Sequence, residues 1–287
     1  MTLRPNKLYS LGIWAIPLFF ALMLAPIALA QQSDENFRQQ APLLTGGSVT
    51  VENGRGDVRV EGWDKTEILV EAHKYFESDD RDRDEWMRQT KIRFEGDEHH
   101  RLVKVEYPYD FGWNWHQWNG RRGVNLTLHV PRQVNAELRT ERGHLTVQRI
   151  AGKLDIASDR GDIDIGDLDG ELRVNADRGN LKVRDSAIRN GIRVSLDRGS
   201  IDIDLKHFAG NSDLEVSRGD LTLTLPGNAA FMLDAERNRR SSFRTDFSVL
   251  GRGGFDDDHV RGNVNGGGSM LRLRGERGSI SLRAAAQ

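Results

Sequence analysis

The sequence predicts an all-β protein built as a single-stranded, right-handed parallel β-helix (a β-solenoid) with coils of 18–20 residues. The first observation is a repeated corner, Arg-Gly, with arginines at positions 142, 160, 178, 198 and 218. The second is a set of glycines that alternate with these corners, at positions 152, 170, 191 and 210. The third is the alternation of apolar and polar residues between corners, which is typical of strands with one buried face.

Each segment between two corners is predicted to be a strand of about five residues. Leu154 and Ile156, for example, alternate with Lys153 and Asp155. Strands this short bury little apolar surface alone, but parallel coils stacked about 4.8 Å apart join their inward residues into ladders. An antiparallel meander also satisfies the alternation, although it gives no reason for the same corner chemistry at every second turn. The right-handed winding follows from the general crossover preference.

The triplet Arg160-Gly161-Asp162 is predicted to be a corner and not a cell-adhesion ligand. Arg-Gly-Asp recurs at Arg55 and Arg218, but the residue after glycine varies freely among the other corners. Stacking places the arginines in one column and the preceding residues in a second column, Glu141, Asp159, Asp177, Asp197 and Ser217. The acidic members of that second column are expected to offset the repulsion between arginines.

Residues 1–30 have the order of a secretory signal peptide. Arg4 and Lys7 precede an uncharged apolar run that ends in Ala28-Leu29-Ala30. Cleavage there starts the mature chain at Gln31, and the alternative is an uncleaved membrane anchor, because the run approaches the ~20 residues that span a bilayer. Both alternatives predict export, to the periplasm, the cell surface or the medium. Residues 31–45 are assigned to a linker and residues 46–287 to the solenoid domain.

Composition excludes several functional classes. The chain has no cysteine, which excludes a disulfide framework, a thiol nucleophile and a cysteine-based metal site. The 41 basic residues, less Arg4 and Lys7 of the leader, leave 39 against 43 acidic residues, a net charge of −4. A mildly acidic exported chain is a poor candidate for binding nucleic acid.

An excursion from the regular coils is predicted over residues 76–123. Ser78–Gln89 is expected to form a short helix capped by Ser78, and residues 92–107 a hairpin that turns at Gly96-Asp97. The helix and the hairpin are expected to cover the exposed edge of the solenoid. After Pro226 the pattern is less regular, with a loop at residues 251–258 and the last strands over residues 266–284.

Three passages resemble one known family. They are GGSVTVENGRGDVRVEGWDKTEILVEAHK from residue 46, LTLHVPRQVNAELRTERGHLTV from residue 126 and GNVNGGGSMLRLRGERGSISLR from residue 262. They are similar to the bacterial putative-adhesin family (DUF4097-like), exported β-helix domains, over about residues 46–284. The resemblance implies the fold and supplies no catalytic residue. Members of that family more often have Asn-Gly at these corners, so the Arg-Gly column is particular to this chain.

No catalytic or metal-binding pattern was found in the sequence. The eight histidines show no H-E-x-x-H spacing, and no G-x-S-x-G elbow is present. Asp256-Asp257-Asp258 is expected to be a solvated acidic loop and not a calcium site. We therefore expect no enzymatic activity, no cofactor and no bound metal.

The candidate binding site is the aromatic segment from Tyr107 to Gly123. The candidate ligand-binding residues in it are Tyr109, Trp113, Trp115 and Trp118. One interpretation is a hydrophobic plug that closes the end of the solenoid. The other is a platform that stacks on sugar rings or on the apolar surface of a partner.

The sequence thus favours an exported, non-enzymatic binding or scaffold protein of the bacterial cell envelope, similar to adhesins. Its expected partner is a glycan or a protein of the envelope or surface. One alternative is a polysaccharide-active β-helix enzyme, although coils of 18–20 residues leave little loop for a cleft. The other is a membrane-tethered envelope-stress sensor, which requires an uncleaved leader.

Overall fold

Parallel strands separated by glycine corners make up most of this computed structural model, which describes residues 35–77, 82–108, 121–238, 240–251 and 259–285. Within them the elements are, in chain order, β1 (Asn36–Pro42), β2 (Ser48–Arg55), β3 (Val58–Trp63), β4 (Glu67–Phe76), α1 (Asp82–Gln89), β5 (Lys91–Gly96), β6 (His100–Glu106), β7 (Arg122–Pro131), β8 (Asn135–Arg142), β9 (Leu145–Arg160), β10 (Ile163–Arg178), β11 (Leu181–Arg198), β12 (Ile201–Phe208), β13 (Ser212–Arg218), β14 (Leu221–Leu225), β15 (Phe231–Arg237), β16 (Ser241–Thr245), β17 (His259–Val264) and β18 (Ser269–Ala284).

Successive coils stack through parallel strand pairing. β9 pairs with β10 and β10 with β11, which aligns Leu145, Ile163 and Leu181 in one row. Paired residues of β9 and β10 are 18 positions apart in the chain, as Leu145 and Ile163 show. Those of β11 and β12 are 20 positions apart, as Leu181 and Ile201 show. The pairing offset therefore equals the repeat of the Arg-Gly corner, and the predictions of an all-β chain and of a solenoid-like fold are confirmed.

The coils have two rows of strands on opposite sides of one core. Strands β9, β10 and β11 pass through a glycine with positive φ (Gly152, Gly170 and Gly191), so each contributes a half-strand to both rows. One row runs β5, β6, β2, β8, the second halves of β9, β10 and β11, β13, the first half of β18, β15 and β17. The other row runs β1, β4, β7, β3, the first halves of β9, β10 and β11, β12, β14, the second half of β18 and β16.

The predicted inward residues form the core. Leu154 and Ile156 from one row and Ile163 and Ile165 from the other are buried in a single apolar cluster. Each buried side chain of this size stabilises the fold by roughly 1.5–3 kcal/mol. No single five-residue strand could supply enough of this burial, so the coils are stable only as a stack.

The excursion lengthens one of the two rows at its N-terminal end. β5 and β6 form the predicted antiparallel hairpin, which turns at Gly96 with φ +108°, and β6 then pairs in parallel with β2. β4 and β7, the strands before and after the excursion, pair antiparallel and extend the other row. The helix is present as α1, and the predicted cap Ser78 lies outside the described residues. The excursion thus adds strands to the solenoid end as well as covering it.

Residues 36–42 correct one assignment. They form strand β1, which pairs antiparallel with β4 along its whole length, whereas residues 31–45 had been assigned to a linker. The sequence signal is weak because only Phe37 is deeply buried and the strand is mostly polar. The strand forms because β4 offers an unpaired edge, which local sequence does not reveal.

The last strand of the chain lies inside the stack. Leu271 of β18 pairs with Ser212 of β13 on one side and with Leu233 of β15 on the other. The same strand contains the corner Arg277-Gly278, which aligns with Arg218-Gly219 of the preceding regular coil. β15 and β16 are therefore displaced outward to the C-terminal end, where β17 pairs antiparallel with β15.

Candidate functional site

The four predicted ligand-binding residues, Tyr109, Trp113, Trp115 and Trp118, lie outside the described residues, as does the whole of residues 109–120. The residues that flank this segment are described. Pro108 follows β6, and Arg122 begins β7. Both line one cavity of about 250 Å³ at the N-terminal end of the solenoid, so the two described residues that flank the aromatic segment lie close together.

This place is a groove centred on Tyr107. The smaller cavity is lined by Gly54, Arg55, Trp86, Tyr107, Pro108, Arg122 and Glu141. A neighbouring cavity of about 560 Å³ shares Gly54, Tyr107 and Glu141 and extends over Glu52, Lys104, Arg139 and Asp159. We call the two together the Tyr107 groove. It combines one aromatic wall with a rim of both charge signs, which suits a polar ligand with an apolar face.

The Tyr107 phenol is held by three polar groups. Its oxygen lies 2.7 Å from Asn53 Oδ1 and 2.7 Å from the Arg55 carbonyl, and it accepts the Arg55 backbone N–H at 3.2 Å. Burial is the main reason that the pKa of Tyr107 is raised well above its ordinary value of 10.0. The hydroxyl therefore stays protonated and serves as a fixed structural donor.

Asn53 connects the phenol to the coil below it. Its side chain is buried, and its Nδ2 donates to the carbonyl oxygens of Val124 at 2.9 Å and Gly56 at 3.3 Å. Sequence analysis missed this residue, although the repeat contains a signal for it. The equivalent positions of the next coils are Thr140, Ser158, Ala176, Leu196 and Val216, so the column changes from polar to apolar with distance from the groove.

Helix α1 supports the groove from below. Trp86 is fully buried, and its ring lies 5.6 Å from Phe76 and 6.3 Å from Tyr107 between centroids. Lys74 Nζ donates to the carbonyl of Met87 at 2.7 Å, which ties the helix to β4. The ring of Trp86 and the hydrogen bond between Lys74 and Met87 thus help to close the apolar end of the stack.

Electrostatics separate the two halves of the groove. Lys104 Nζ lies 2.8 Å from Glu52, and its hydrogen bond is the main reason that the pKa of Glu52 lies below its usual value. In the smaller cavity, burial and the nearby charge of Arg55 both lower the pKa of Arg122. One half thus contains an ion network in which Lys104 and Arg139 both pair with Glu52, and the other has two guanidinium groups close together.

A second feature begins at Arg55 and continues along the whole stack. Strand pairing aligns Arg55, Arg142, Arg160, Arg178, Arg198, Arg218 and Arg277 in one column, which we call the arginine ladder. Arg55 is half-buried and the others are exposed. The predicted stacking of the Arg-Gly corners is therefore confirmed, and it includes the corners at both ends of the chain.

The residue after each corner glycine forms a hydrogen-bonded column of its own. Asp162 Oδ1 accepts the backbone N–H of Asn180 at 2.8 Å, and Asn180 Oδ1 accepts that of Ser200 at 3.0 Å. Asp220 Oδ1 accepts both the backbone N–H and the hydroxyl of Ser279. The aspartate of the Arg-Gly-Asp triplet thus links one coil to the next.

Other candidate features carry less chemistry. A cavity of about 880 Å³ is lined by Met232, Leu250, Met270 and the ion pair Asp234–Arg261. His99 lies in the hairpin turn and His100 begins β6, where His100 Nδ1 is 2.8 Å from Ser48 Oγ. Among the described residues, no three His, Asp or Glu side chains are arranged to hold a metal ion. Asp256, Asp257 and Asp258 lie outside those residues.

Comparison with known proteins identifies the fold family. Residues 44–282, most of the chain, match the family described as Toastrack DUF4097. The chain belongs to this family. The match confirms the resemblance noted in the sequence, and the Toastrack domain is a β-solenoid-like fold. No curated protein matches the chain.

The Toastrack domain is also similar to solved structures at low identity. A putative adhesin from Bacteroides fragilis is 12% identical, with a TM-score of 0.47, and the match covers 88% of this chain and 98% of that one. A putative cell adhesion protein from Clostridium sporogenes is 13% identical, with a TM-score of 0.37 and coverages of 88% and 100%. A putative lipid binding protein from Parabacteroides distasonis is 12% identical, with a TM-score of 0.39 and coverages of 88% and 97%. Family membership rests on the family match and not on these similarities.

The described part of the Toastrack domain contains one helix, α1. Of the helical residues that the structure describes, none forms a helix long and apolar enough to cross a bilayer. Residues 1–30, which contain the predicted signal peptide, lie outside the described residues.

Proposed function

We propose that this chain is an exported, non-enzymatic binding or scaffold protein of the bacterial cell envelope that holds its ligand at the Tyr107 groove. The observation that supports the proposal is the position of Pro108 and Arg122, which bring both ends of the aromatic segment to one cavity. The groove has a rigid base, because Tyr107 is hydrogen-bonded to Asn53 and packs against the buried ring of Trp86. Rigid aromatic surfaces with a polar rim suit sugar rings and the surfaces of partner proteins.

The predicted platform residues Tyr109, Trp113, Trp115 and Trp118 complete this proposal. The test is the triple variant W113A/W115A/W118A, assayed for binding to isolated cell envelopes and to a glycan array. A platform requires binding to be lost while the melting temperature changes by less than about 2–4 °C, the shift expected from 1 kcal/mol in a domain of this size. Trp63→Ala is the control, because Trp63 is a tryptophan outside the groove, in contact with Lys65 and His129.

Two results would oppose the proposal. Unchanged binding by the triple variant removes the aromatic residues from the site. A fall of many degrees in melting temperature instead supports the plug, because each buried aromatic ring contributes several kcal/mol of packing. In that case the segment stabilises the solenoid end and the groove is covered.

Export and the winding direction belong to the same proposal. The leader supports export, and the intact mass of the protein recovered from the periplasm or medium tests its cleavage. A mature chain beginning at Gln31 excludes a membrane tether, whereas the full-length mass in the membrane fraction favours the anchored alternative. We expect the coils to wind right-handed because crossover connections between parallel strands overwhelmingly do so.

A further inference from the structure

Among the described residues, the arginine ladder differs from other arginines of the solenoid because all but one of its members lack a carboxylate partner. On the outward strand faces, Arg173, Arg184 and Arg274 each form a salt bridge with an aspartate of a neighbouring coil. Within the part of the chain that the structure describes, Arg198 is the one ladder residue with a salt bridge, to Asp197 at 3.4 Å. Six ladder guanidinium groups therefore keep their donors for solvent or a ligand, although acidic residues precede most of them in sequence.

The ladder also has a regular repeat. Neighbouring coils lie about 4.8 Å apart, so seven in-register arginines form a row about 29 Å long. Guanidinium groups bind carboxylate, sulfate and phosphate through two parallel hydrogen bonds. A row of them along a rigid scaffold is suited to a linear ligand whose anionic groups also repeat.

Columns of carboxylates run on both sides of the ladder. Before the arginines stand the exposed side chains of Glu141, Asp159, Asp177, Asp197 and Glu276, and after the glycines stand Asp57, Asp162 and Asp220. Carboxylates accept hydrogen bonds from hydroxyl groups and repel other anions. The ligand must therefore be narrow and must present hydroxyls beside its anionic groups, which duplex DNA or a polyphosphate does not do.

We propose that the arginine ladder binds a linear anionic glycan, such as a polymer of uronic acids, with its carboxylates on the arginines and its hydroxyls on the flanking acidic columns. The ladder begins at Arg55 in the Tyr107 groove and extends away from the groove along the stack. The two can therefore be tested apart, since ladder variants leave Trp113, Trp115 and Trp118 unchanged.

The experiment measures the affinity of the exported chain for polygalacturonate by calorimetry at two salt concentrations. The variant R160Q/R178Q/R198Q should bind at least tenfold more weakly than the wild type. The matched control K182Q/R193Q/R244Q also removes three positive charges from exposed positions outside the ladder, and its affinity should stay within twofold. Polygalacturonate whose carboxylates have been reduced to alcohols should not bind.

A second variant controls for the possibility that the first loses binding because it misfolds. R160K/R178K/R198K keeps the charges but loses the paired hydrogen bonds of arginine, so it should lose affinity by a smaller factor. Three outcomes overturn the proposal: equal losses in the ladder and control variants, equal binding of the reduced polymer, or tighter binding of polyphosphate or duplex DNA than of polygalacturonate. Failure of W113A/W115A/W118A to bind envelopes, with ladder binding intact, concerns the Tyr107 groove alone.

Discussion

The carbonyl oxygen of Gly179 occupies the space in which any side chain on Gly199 would begin. A Cβ atom on Gly199 would lie 1.7 Å from that oxygen, and the φ angle of Gly199 is +136°. Gly161 has the same relationship to Gly143, with a separation of 1.8 Å. Each Arg-Gly corner therefore rests directly on the backbone of the corner before it, and this close approach explains why glycine recurs in the repeat.

Replacing Gly199 should destabilise the stack. We expect Gly199→Val to reduce the free energy of unfolding by at least about 1–3 kcal/mol, since the residue combines an unfavourable φ with a clash against backbone that cannot move aside. Urea denaturation measures the change. Gly227→Ala is the control, because its Cβ would meet only the Ala285 carbonyl at 3.9 Å, and its effect should stay within about 0.5 kcal/mol. Equal losses in the two variants would contradict this account of the corner.

The aspartate of the Arg160-Gly161-Asp162 triplet should matter modestly for stability and not at all for cell attachment. Asp162→Ala removes the Oδ1 acceptor of Asn180, so we expect a loss of about 1 kcal/mol. Asp162→Asn keeps that acceptor, as Asn180 does in the next coil, and should unfold like the wild type. Loss of cell attachment by the asparagine variant, with folding intact, would show that the triplet is a ligand after all.

Asp220 should make stability depend on pH in the acid range. The hydroxyl and the backbone N–H of Ser279 hold the pKa of Asp220 below its ordinary value of 3.8. A carboxyl with a lowered folded pKa stabilises the protein fully above its unfolded pKa, and the contribution is lost as the pH falls through the folded pKa. Asp220→Asn should therefore lower the urea midpoint at pH 6 more than at pH 2.5.

The control for that measurement is Asp204→Asn. Asp204 is exposed and has no hydrogen-bond or salt-bridge partner among the residues that the structure describes. The substitution Asp204→Asn removes one carboxylate without removing the two hydrogen bonds from Ser279 to Asp220. If both variants change the pH dependence alike, general charge effects and not the Asp220–Ser279 contact explain the result.

Tyr107 should be essential to the end of the solenoid. Tyr107→Phe leaves the buried Asn53 Oδ1 without its phenol donor, which should cost about 1–3 kcal/mol. Tyr75→Phe also removes a phenol hydroxyl, but that hydroxyl has no hydrogen-bond partner within the described residues. Its loss should cost less than about 0.5 kcal/mol. Thermal unfolding compares the two. A neutral Tyr107→Phe would mean that the hydroxyl does not organise the groove.

The regular part of the fold could be predicted from the sequence because its causes are local. Glycine at the corners adopts a positive φ that other residues resist, and the alternation of Leu154, Ile156 and their equivalents is set by the strand period of two. The repeat of 18 or 20 residues then determines which residues pair. The arginine column could therefore be predicted from the spacing of the Arg-Gly corners alone. The excursion's helix and hairpin were likewise predicted from Trp86-Met87 and Gly96-Asp97.

Features that depend on contacts between distant residues were decided by the tertiary structure. β1 forms because β4 leaves an edge open, and β18 enters the stack because its Arg277-Gly278 corner fits the register of Arg218-Gly219, 59 positions earlier. The hydrogen bond from Tyr107 to Asn53 joins residues 54 positions apart. Local sequence records neither an open edge nor a distant acceptor. The sequence by itself determined the coil, its corners and its inward face. The order of the strands at both ends and the position of the groove were decided by the tertiary structure, because unpaired strand edges and buried polar atoms are satisfied by residues that are distant in the chain.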